Sequence, residues 1–484
     1  MSLINRVRLL LPFTILLLVS VFVLFYGLGD APLHDWDEGI YANIAAEMAT
    51  SGDYWHMTLM GQPWFEKPLF PFWLTALSYK LFGFTELATR FFPALAGVGV
   101  VLLLYGIGRR LFSWYVGFWA ALLFALSPIF LDYHMARSGD HDVLFLFWLI
   151  LAIYLYIRTY EKGREWLLVF SGIAAGFAIF TRGALGIFAF AIPFATHILL
   201  VIKSHIRKTP LDYTYRWYHS ALWAISFLAI GGAWHLYAYI AYGQQFIDIY
   251  VKEQFFSRIG APLQGHSGPW WFYARYLWQT EPFVTVAAAI MAAWWICRYS
   301  VALVALGRIR RIRFTAAIIL LLVWAVSFEF VISAMSTKLH WYALGMAPAL
   351  YLIAVSALKH NGVPRAFATL GVVALLVFYA WQLPHRKPQE PLPIQNIAHA
   401  LKQENVAGTV IIYETALWNF GRILPSFYWY VKYQGGVEPI AVDKNNLEHY
   451  LDRSEFGVWI TDMEHAADFE PYGAHGRRIV TVDN

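Results

Sequence analysis

Three carboxylates stand within four residues at Asp35-Trp36-Asp37-Glu38, and a charged pair follows at Trp64-Phe65-Glu66-Lys67-Pro68. Like charges packed this closely repel unless something cationic is held among them. The first group therefore points to a bound cation or to a carboxylate poised to take a proton. Further clusters recur beside aromatic residues: Arg137-Ser138-Gly139-Asp140-His141-Asp142, Thr181-Arg182-Gly183, Glu253-Gln254-Phe255-Phe256-Ser257-Arg258, Gly265-His266-Ser267-Gly268-Pro269-Trp270-Trp271 and Lys338-Leu339-His340-Trp341-Tyr342. Lysine and arginine gathered near carboxylates are the donors that phosphate recognition requires. Taken singly, His266 and His340 read as structural, and Trp270-Trp271 as an interfacial belt. Their weight comes from a common placement, which the surrounding elements decide.

Those elements are set by composition. The 484 residues are 59% hydrophobic and only 14% charged, where ordinary globular domains are about 25% charged. Such a chain cannot cover a water-facing surface with polar groups and must face lipid over much of its length. Apolar runs predict spans near 9–26, 91–107, 112–130, 143–157, 166–181, 184–202, 218–241, 280–297, 314–335, 343–358 and 364–382, an all-α polytopic membrane protein of about 11–13 transmembrane helices. Arg6 and Arg8 precede the first run, but Gly27-Leu28-Gly29-Asp30 offers no small-x-small cleavage site, so it reads as an uncleaved helix.

Alternate connections carry 18 of the 36 basic residues against three acidic ones, Glu161, Glu165 and Asp212. The opposite loops hold nine basic and fourteen acidic residues. The basic side is expected to be cytoplasmic, which puts the amino terminus inside and the carboxyl terminus outside. Every cluster described above then lies on the outer, periplasmic face, where the charges could converge on one cavity. A transporter would be expected to place its charges near the bilayer midplane instead, and Glu329 is the one carboxylate assigned to a span. After about residue 383 the texture changes. Pro384, Pro388, Pro391 and Pro393 mark a linker. Beyond it, strand-like runs at Thr409–Tyr413, Gly457–Thr461 and Arg478–Val482 alternate with helical ones at Ile394–Gln403 and Asn445–Leu451. This divides the chain into a transmembrane catalytic domain, 1–382, and a small soluble periplasmic α/β domain, 383–484.

Several chemistries are excluded. No G-x-x-x-x-G-K-[ST], H-E-x-x-H or G-x-S-x-G run occurs, and Gly97-Val98-Gly99 lacks the third glycine of a dinucleotide fingerprint. The single cysteine, Cys297, excludes an internal disulfide and a cysteine-based zinc site. No nucleotide cofactor and no nucleic-acid partner is expected. A reaction at the outer face needs a group activated by something other than a nucleotide, and a lipid-linked donor meets that need.

The run Asp35-Trp36-Asp37-Glu38-Gly39-Ile40-Tyr41, followed by Ala45-Ala46-Glu47-Met48, Ser51-Gly52-Asp53 and Gly61-Gln62-Pro63-Trp64-Phe65-Glu66-Lys67-Pro68, resembles the first outer loop of the bacterial membrane glycosyltransferases related to aminoarabinose transferase and protein O-mannosyltransferase. Arg137 through Asp142, Thr181-Arg182-Gly183, Gly268-Pro269-Trp270-Trp271-Phe272-Tyr273 and Lys338-Leu339 with Tyr342 continue the resemblance in order over roughly residues 30–350. It implies the GT-C fold and inverting transfer of a sugar from a polyprenyl (undecaprenyl) phosphate. The acceptor it implies is lipid A, lipopolysaccharide or another envelope component at the outer face of the inner membrane, with protein serine or threonine as the alternative. By position it implies Asp37 as the catalytic aspartate with Glu38 beside it, and Lys67, Arg182, Arg258 and Tyr342 near the donor phosphate. Asp142 and His340, inside the matched stretches, join them as substrate-binding candidates. Glu66 matches a position associated with a divalent metal. Two residues depart from the pattern: Ile40 stands where aminoarabinose transferases have arginine, and Gln254 where a histidine is expected beside Glu253. In an extended loop residues 35 and 37 share a face, so Asp35 and Asp37 are expected to line the cavity while Glu38 orients the loop.

Overall fold

A computed structural model gives the architecture; it describes residues 3–132, 134–161, 164–207, 217–305, 312–359 and 365–382, and thereafter 393–403, 409–413, 418–419, 422–442, 458–462 and 478–482. The expected helix at Asn445–Leu451 and most of the Arg308–Arg313 connection lie outside these residues.

The chain is mostly helical. In order come α1 (Leu3–Phe25), α2 (Asp37–Ser51), α3 (Phe70–Phe82), α4 (Glu86–Leu111), α5 (Trp114–Ala125), the single turn α6 (Pro128–Leu131), α7 (Asp142–Arg158), α8 (Leu167–Arg182), α9 (Phe188–Arg207) and α10 (Trp217–Tyr242). Among the described residues, Glu86–Leu111, Leu167–Ile206, Tyr218–Tyr242 and Ala316–Ala334 are long and apolar enough to cross a bilayer. Leu10–Phe25, Trp114–Ala125, Ala347–Lys359 and Thr369–Ala380 are apolar but shorter. The stretch Leu167–Ile206 is two helices: α8 ends at Gly183 (φ 61°), and Phe190 of α9 returns to pack with Leu168, Tyr156 and Trp223. Phe272–Thr280 and Pro282–Arg298 meet at 118°. At their corner the buried Glu281 accepts from Ile129 N (3.0 Å) and Tyr351 OH (2.7 Å), and also from Tyr379 OH. This carboxylate is satisfied by structural hydrogen bonds.

Small residues let the helices approach. A Cβ on Gly108 of α4 would sit 2.5 Å from Gly117 Cα of α5, the close backbone packing that lipid-embedded helices favour. The start of α4 is well defined: Thr85 caps it by accepting from Ala88 N at 3.1 Å, and Glu86 occupies the first turn, where a carboxylate complements the helix dipole.

One turn further along α4, Arg90 fastens the outer loops together. Its Nε and Nη2 donate to Glu38 Oε1 and Oε2 at 2.7 and 2.9 Å. Its remaining donors reach the carbonyls of Leu28 (3.1 Å), Ala31 (2.6 Å) and Pro32 (2.6 Å). Glu38 also accepts from His34 N at 2.8 Å and from Gly139 N of the second outer loop at 2.7 Å. A second, outer core forms around this staple, from Tyr41, Phe65, Phe72 and Trp234 to Phe427, Trp429 and Tyr430 of the carboxyl-terminal segment.

After residue 392, helix Pro393–Gln403 precedes a four-stranded parallel sheet in the order Glu438–Val442, Thr409–Tyr413, Val458–Asp462, Arg478–Val482. Thr409 pairs with Glu438 and Tyr413 with Val442. The strand at Glu438–Val442 was not among the expected ones; Pro439 inside it breaks the usual strand signature.

Breaking the staple should be costly. Removing one partner of a buried pair typically loses about 3–5 kcal/mol, because Glu38 would keep an uncompensated charge. Arg90→Met is therefore expected to lower the melting temperature of detergent-solubilised protein clearly; an unchanged melting temperature would show that the pair is not a structural anchor.

Candidate active site

Asp37 opens α2 rather than lying in an extended strand. The residue before it, Trp36, sits at φ 67° and ψ −116°, a region that residues with a side chain seldom occupy. This reversal changes the faces that an extended loop would have given. Asp35 turns away to accept hydrogen bonds from Ser426 N (3.3 Å) and Ser426 Oγ, so it does not share the cavity with Asp37. Burial pushes the Asp35 carboxyl up, and the Ser426 bonds partly offset that. Glu38 is 1% exposed and its carboxylate is committed to Arg90, His34 and Gly139. Burial, the largest single influence, would raise its pKa, yet Arg90 and His34 together outweigh burial and hold the carboxyl below the usual range.

Asp37 is half-buried and close enough to Lys67, Arg182, His134, Glu66 and Asp142 for their charges to interact. Lys67 follows Glu66 in the connection to α3. Among the described residues no protein atom accepts a hydrogen bond from its ammonium group. Burial, reinforced by Arg258 and Arg182, pushes the amine down to about 8 against the pull of Asp37 and Glu66. Arg182, at the carboxyl-terminal end of α8, pairs through Nη2 with Asp142 Oδ2 at 2.9 Å, while its buried Nη1 has no hydrogen-bond partner among the described residues.

Arg258 comes from the far side. It follows a π-helix, Ile247–Ser257, a conformation that recurs at functional sites. Its Nε donates to Gln254 Oε1 at 3.0 Å, and its Nη1 reaches Tyr342 OH at 3.5 Å. Gln254 Nε2 in turn donates to Glu66 Oε2 at 3.1 Å, so one amide ties Glu66 to Arg258. Burial raises the Glu66 carboxyl, with Lys67 and Arg258 opposing.

The structure therefore gathers Asp37, Glu66, Lys67, Asp142, Arg182, Arg258 and Tyr342. His340 stands apart. Its rings of contact are Trp341 and Tyr276, burial lowers its pKa, and the charged groups around it are Asp132, His134 and His266. Lys338, also in that motif, bonds to the carbonyls of Ile332, Ser333 and Met335 (3.3, 2.6 and 2.5 Å) and so finishes the helix Ile312–Ala334.

Three neighbours were not singled out individually from sequence. His141 stacks on Tyr41 with ring centroids 4.1 Å apart; burial, then Arg182 and Lys67, pushes its pKa well down, so it is neutral. His134 and Asp140 pair at 2.8 Å. Burial disfavours the His134 cation, but Asp140 more than offsets this and its pKa is raised. Asp140 and His141 lay within a recognised motif, whereas no spacing marked His134. Among the described residues, Asp37, His134 and Asp140 form the group able to hold a metal ion, with ligand atoms all within 4.8 Å of one another. Two carboxylates and an imidazole suit a divalent ion. Glu66 belongs to no such group, and its immediate partner is the Gln254 amide.

The chain resembles known proteins along most of its length. Residues 66–234 match the family described as dolichyl-phosphate-mannose-protein mannosyltransferase. It is 32% identical over 265 residues to an uncharacterised protein of Aquifex aeolicus, covering 54% of this chain and 50% of that one. It is 28% identical over 396 residues to an undecaprenyl phosphate-alpha-4-amino-4-deoxy-L-arabinose arabinosyl transferase of Sodalis glossinidius, covering 76% of this chain and 65% of that one. The chain thus spans half to two thirds of the length of these relatives. Among solved structures, ArnT from Cupriavidus metallidurans in the apo state superposes with a TM-score of 0.67 at 18% identity, over 95% of this chain and 94% of that one. The oligosaccharyltransferase of Archaeoglobus fulgidus, apo form, gives 0.57 at 13% identity, over 91% and 65%. The fold is shared with both.

The lowered Lys67 pKa yields a signed prediction. The amine is mostly protonated at pH 7 and mostly neutral at pH 9, so anion binding should weaken as pH rises through about 8. One charge-assisted bond is worth about 1.5–3 kcal/mol, roughly tenfold or more in Kd. Titration calorimetry with a long-chain alkyl phosphate at pH 7 and pH 9 is expected to show that loss in the wild type and a flat profile in Lys67→Met; a flat wild-type profile would remove Lys67 from the anion site.

Proposed function

We propose, from the premise that the chain belongs to the GT-C fold membrane glycosyltransferases related to aminoarabinose transferase and protein mannosyltransferase, that it transfers a sugar with inversion from a polyprenyl phosphate to a cell-envelope acceptor. The observation that carries this reading is the cation cluster. Among the described residues Lys67 has no hydrogen-bond partner and the buried Arg182 Nη1 has none either, and Arg258 lies close enough to disfavour the Lys67 charge. Cations left facing one another are stable only if an anion joins them, and a phosphate ester is the anion that fits lysine and arginine donors.

In this reading Lys67, Arg182 and Arg258 hold the donor phosphate. The bond from the anomeric carbon to the phosphate oxygen breaks, the phosphate leaves with that electron pair, and the acceptor oxygen bonds to the opposite face of the carbon. As negative charge grows on the departing oxygen the cations stabilise it. Asp37 takes the proton of a hydroxyl acceptor; for an acceptor phosphate, already anionic, it orients instead. Tyr342 supports Arg258, Asp142 fixes Arg182, and Glu38 holds the loop. A divalent cation, where one is used, would be held by Asp37, His134 and Asp140, and it supplies Lewis-acid charge stabilisation when bound.

The relatives' printed names support an undecaprenyl-phosphate aminopentose donor; the lipid acceptor is carried by the resemblance of the first loop, and the mannosyltransferase match supports protein as the alternative acceptor. The discriminating assay gives purified, reconstituted protein a labelled undecaprenyl-phosphate sugar with lipid A or with a serine-rich peptide. Label is expected on lipid A. Losing a positioned base costs about 10²–10⁴-fold, so Asp37→Asn should be nearly inactive while remaining folded. Elemental analysis of the same preparations reads the cation, which should be lost in His134→Ala. Transfer by Asp37→Asn at the wild-type rate would overturn the assignment.

We also propose about 11–13 spans in the inner membrane, with the amino terminus inside, and residues 383–484 forming a soluble domain on the periplasmic face. The basic-residue bias supports it. So does Tyr430, which accepts from Leu33 N at 2.9 Å, because a carboxyl-terminal segment touching the first outer loop must share its side of the bilayer. A periplasm-only reporter fused after Trp381 should be active and one after Arg311 silent; the reverse pattern would sink the outer-face site.

A further inference from the structure

The segment Pro425–Gln434 has no part in the chemistry just described, yet it lies directly against the loop that carries Asp37. Ser426 donates to Asp35 through both its backbone N (3.3 Å) and its Oγ. Asn43, fully buried in α2, donates to Pro425 O at 2.6 Å and to Gly39 O at 2.9 Å. The two backbones meet so closely that a Cβ on Gly39 would stand 2.7 Å from Ser426 N. At the other end of the segment, Tyr430 OH accepts from Leu33 N and donates to Glu86 Oε1 at 2.9 Å, and Gln434 Nε2 donates to Glu86 Oε2 at 3.0 Å. Glu86 is one helical turn before Arg90. A single helix end therefore grips the carboxyl-terminal segment with one residue and Glu38 with the next.

Between these fixed points stands Trp36, at φ 67° and 49% exposed. A residue with a Cβ does not rest there unaided; the cost is of the same order as a hydrogen bond to a charged acceptor. Trp36 has its indole largely in solvent, so its own packing does little to impose the conformation. Glu38 anchors the chain two residues beyond Trp36, and the Ser426–Asp35 bonds anchor it one residue before. Were the anchor at Asp35 released, residue 36 could relax toward negative φ, and Asp37 would rotate with it.

We propose that Pro425–Gln434 is a clamp that holds the strained Trp36 conformation and thereby aims Asp37 into the cation-lined recess, with Ser426 as its positioning residue acting through Asp35. The proposal rests on the function proposed above, in which Asp37 is the reacting carboxylate. It makes the carboxyl-terminal segment a part of the catalytic geometry, although it touches neither donor nor acceptor.

The test is a steady-state comparison on reconstituted full-length protein. Ser426→Ala is expected to lower kcat roughly tenfold, with the KM for the lipid-linked donor unchanged, because the phosphate site is built from other elements. Ser426→Thr keeps the hydroxyl and should restore kcat to within a few-fold of wild type. Asp35→Ala, which removes the acceptor of both bonds, should lose at least as much as Ser426→Ala, and the Ser426→Ala/Asp35→Ala double variant no more than Asp35→Ala alone, since the serine acts only through Asp35. Melting temperatures of all variants within a few degrees of wild type exclude general unfolding. Wild-type kcat in Ser426→Ala, a loss carried by KM, or independent multiplicative losses in the double variant would each overturn the clamp. Asp37→Asn run alongside separates the two ideas: if it turns over normally, the catalytic reading itself fails, whereas an inactive Asp37→Asn with a fully active Ser426→Ala defeats only the clamp.

Discussion

Arg90 is a buried guanidinium near the start of the long apolar helix α4, and nearly every feature of the site depends on how its charge is met. A buried arginine needs a carboxylate and a filled set of acceptors. Glu38 and the carbonyls of Leu28, Ala31 and Pro32 supply them. In doing so they bring the entry to the first loop, the start of α2 and, through Gly139 N, the second loop to one point. Asp37 and the Asp140–Asp142 stretch approach each other because Glu38 is shared between Arg90 and the second loop.

The recess that results is balanced unevenly. Arg182 is partly neutralised by Asp142, and Arg258 is joined to Glu66 through the Gln254 amide. Lys67 alone receives no hydrogen-bonding acceptor among the described residues, and burial, with Arg258 and Arg182 close by, depresses its pKa. His134 and Asp140 lie beside Asp37 as well, and the three form the group able to hold a metal ion. Asp37 is thus shared between the cations and that group. That is a suitable location for a carboxylate meeting an acceptor while a phosphate departs.

Much of this was legible in the residues. The Asp-Trp-Asp-Glu run, the Glu66-Lys67 pair and the arginines at 182 and 258 were identified by type and order, and they converge. What was not legible depended on backbone turns or on distant segments. A two-residue period put Asp35 beside Asp37, but the positive φ at Trp36 and the helix starting at Asp37 send them in different directions. Ser426 lies 391 positions from Asp35, and a lone serine carries no signal of such a contact. His134 belonged to no cluster by spacing. Glu281 was not singled out, because nothing local tells a carboxylate at a helix break from one at a membrane surface. His340, carried over by its motif, falls with Trp341 and Tyr276 because the turn at His340–Gly345 points neighbouring side chains to different sides.

The central claim is that Lys67, Arg182 and Arg258 together form the seat of a lipid-borne phosphate. The most direct measurement is an experimental structure of the protein with undecaprenyl phosphate bound in a lipid nanodisc. The phosphate should lie within hydrogen-bonding distance of Lys67 Nζ and Arg182 Nη1, with Arg258 closing over it from the π-helix. A phosphate seated away from Lys67, with the lysine still unpartnered, would contradict the account.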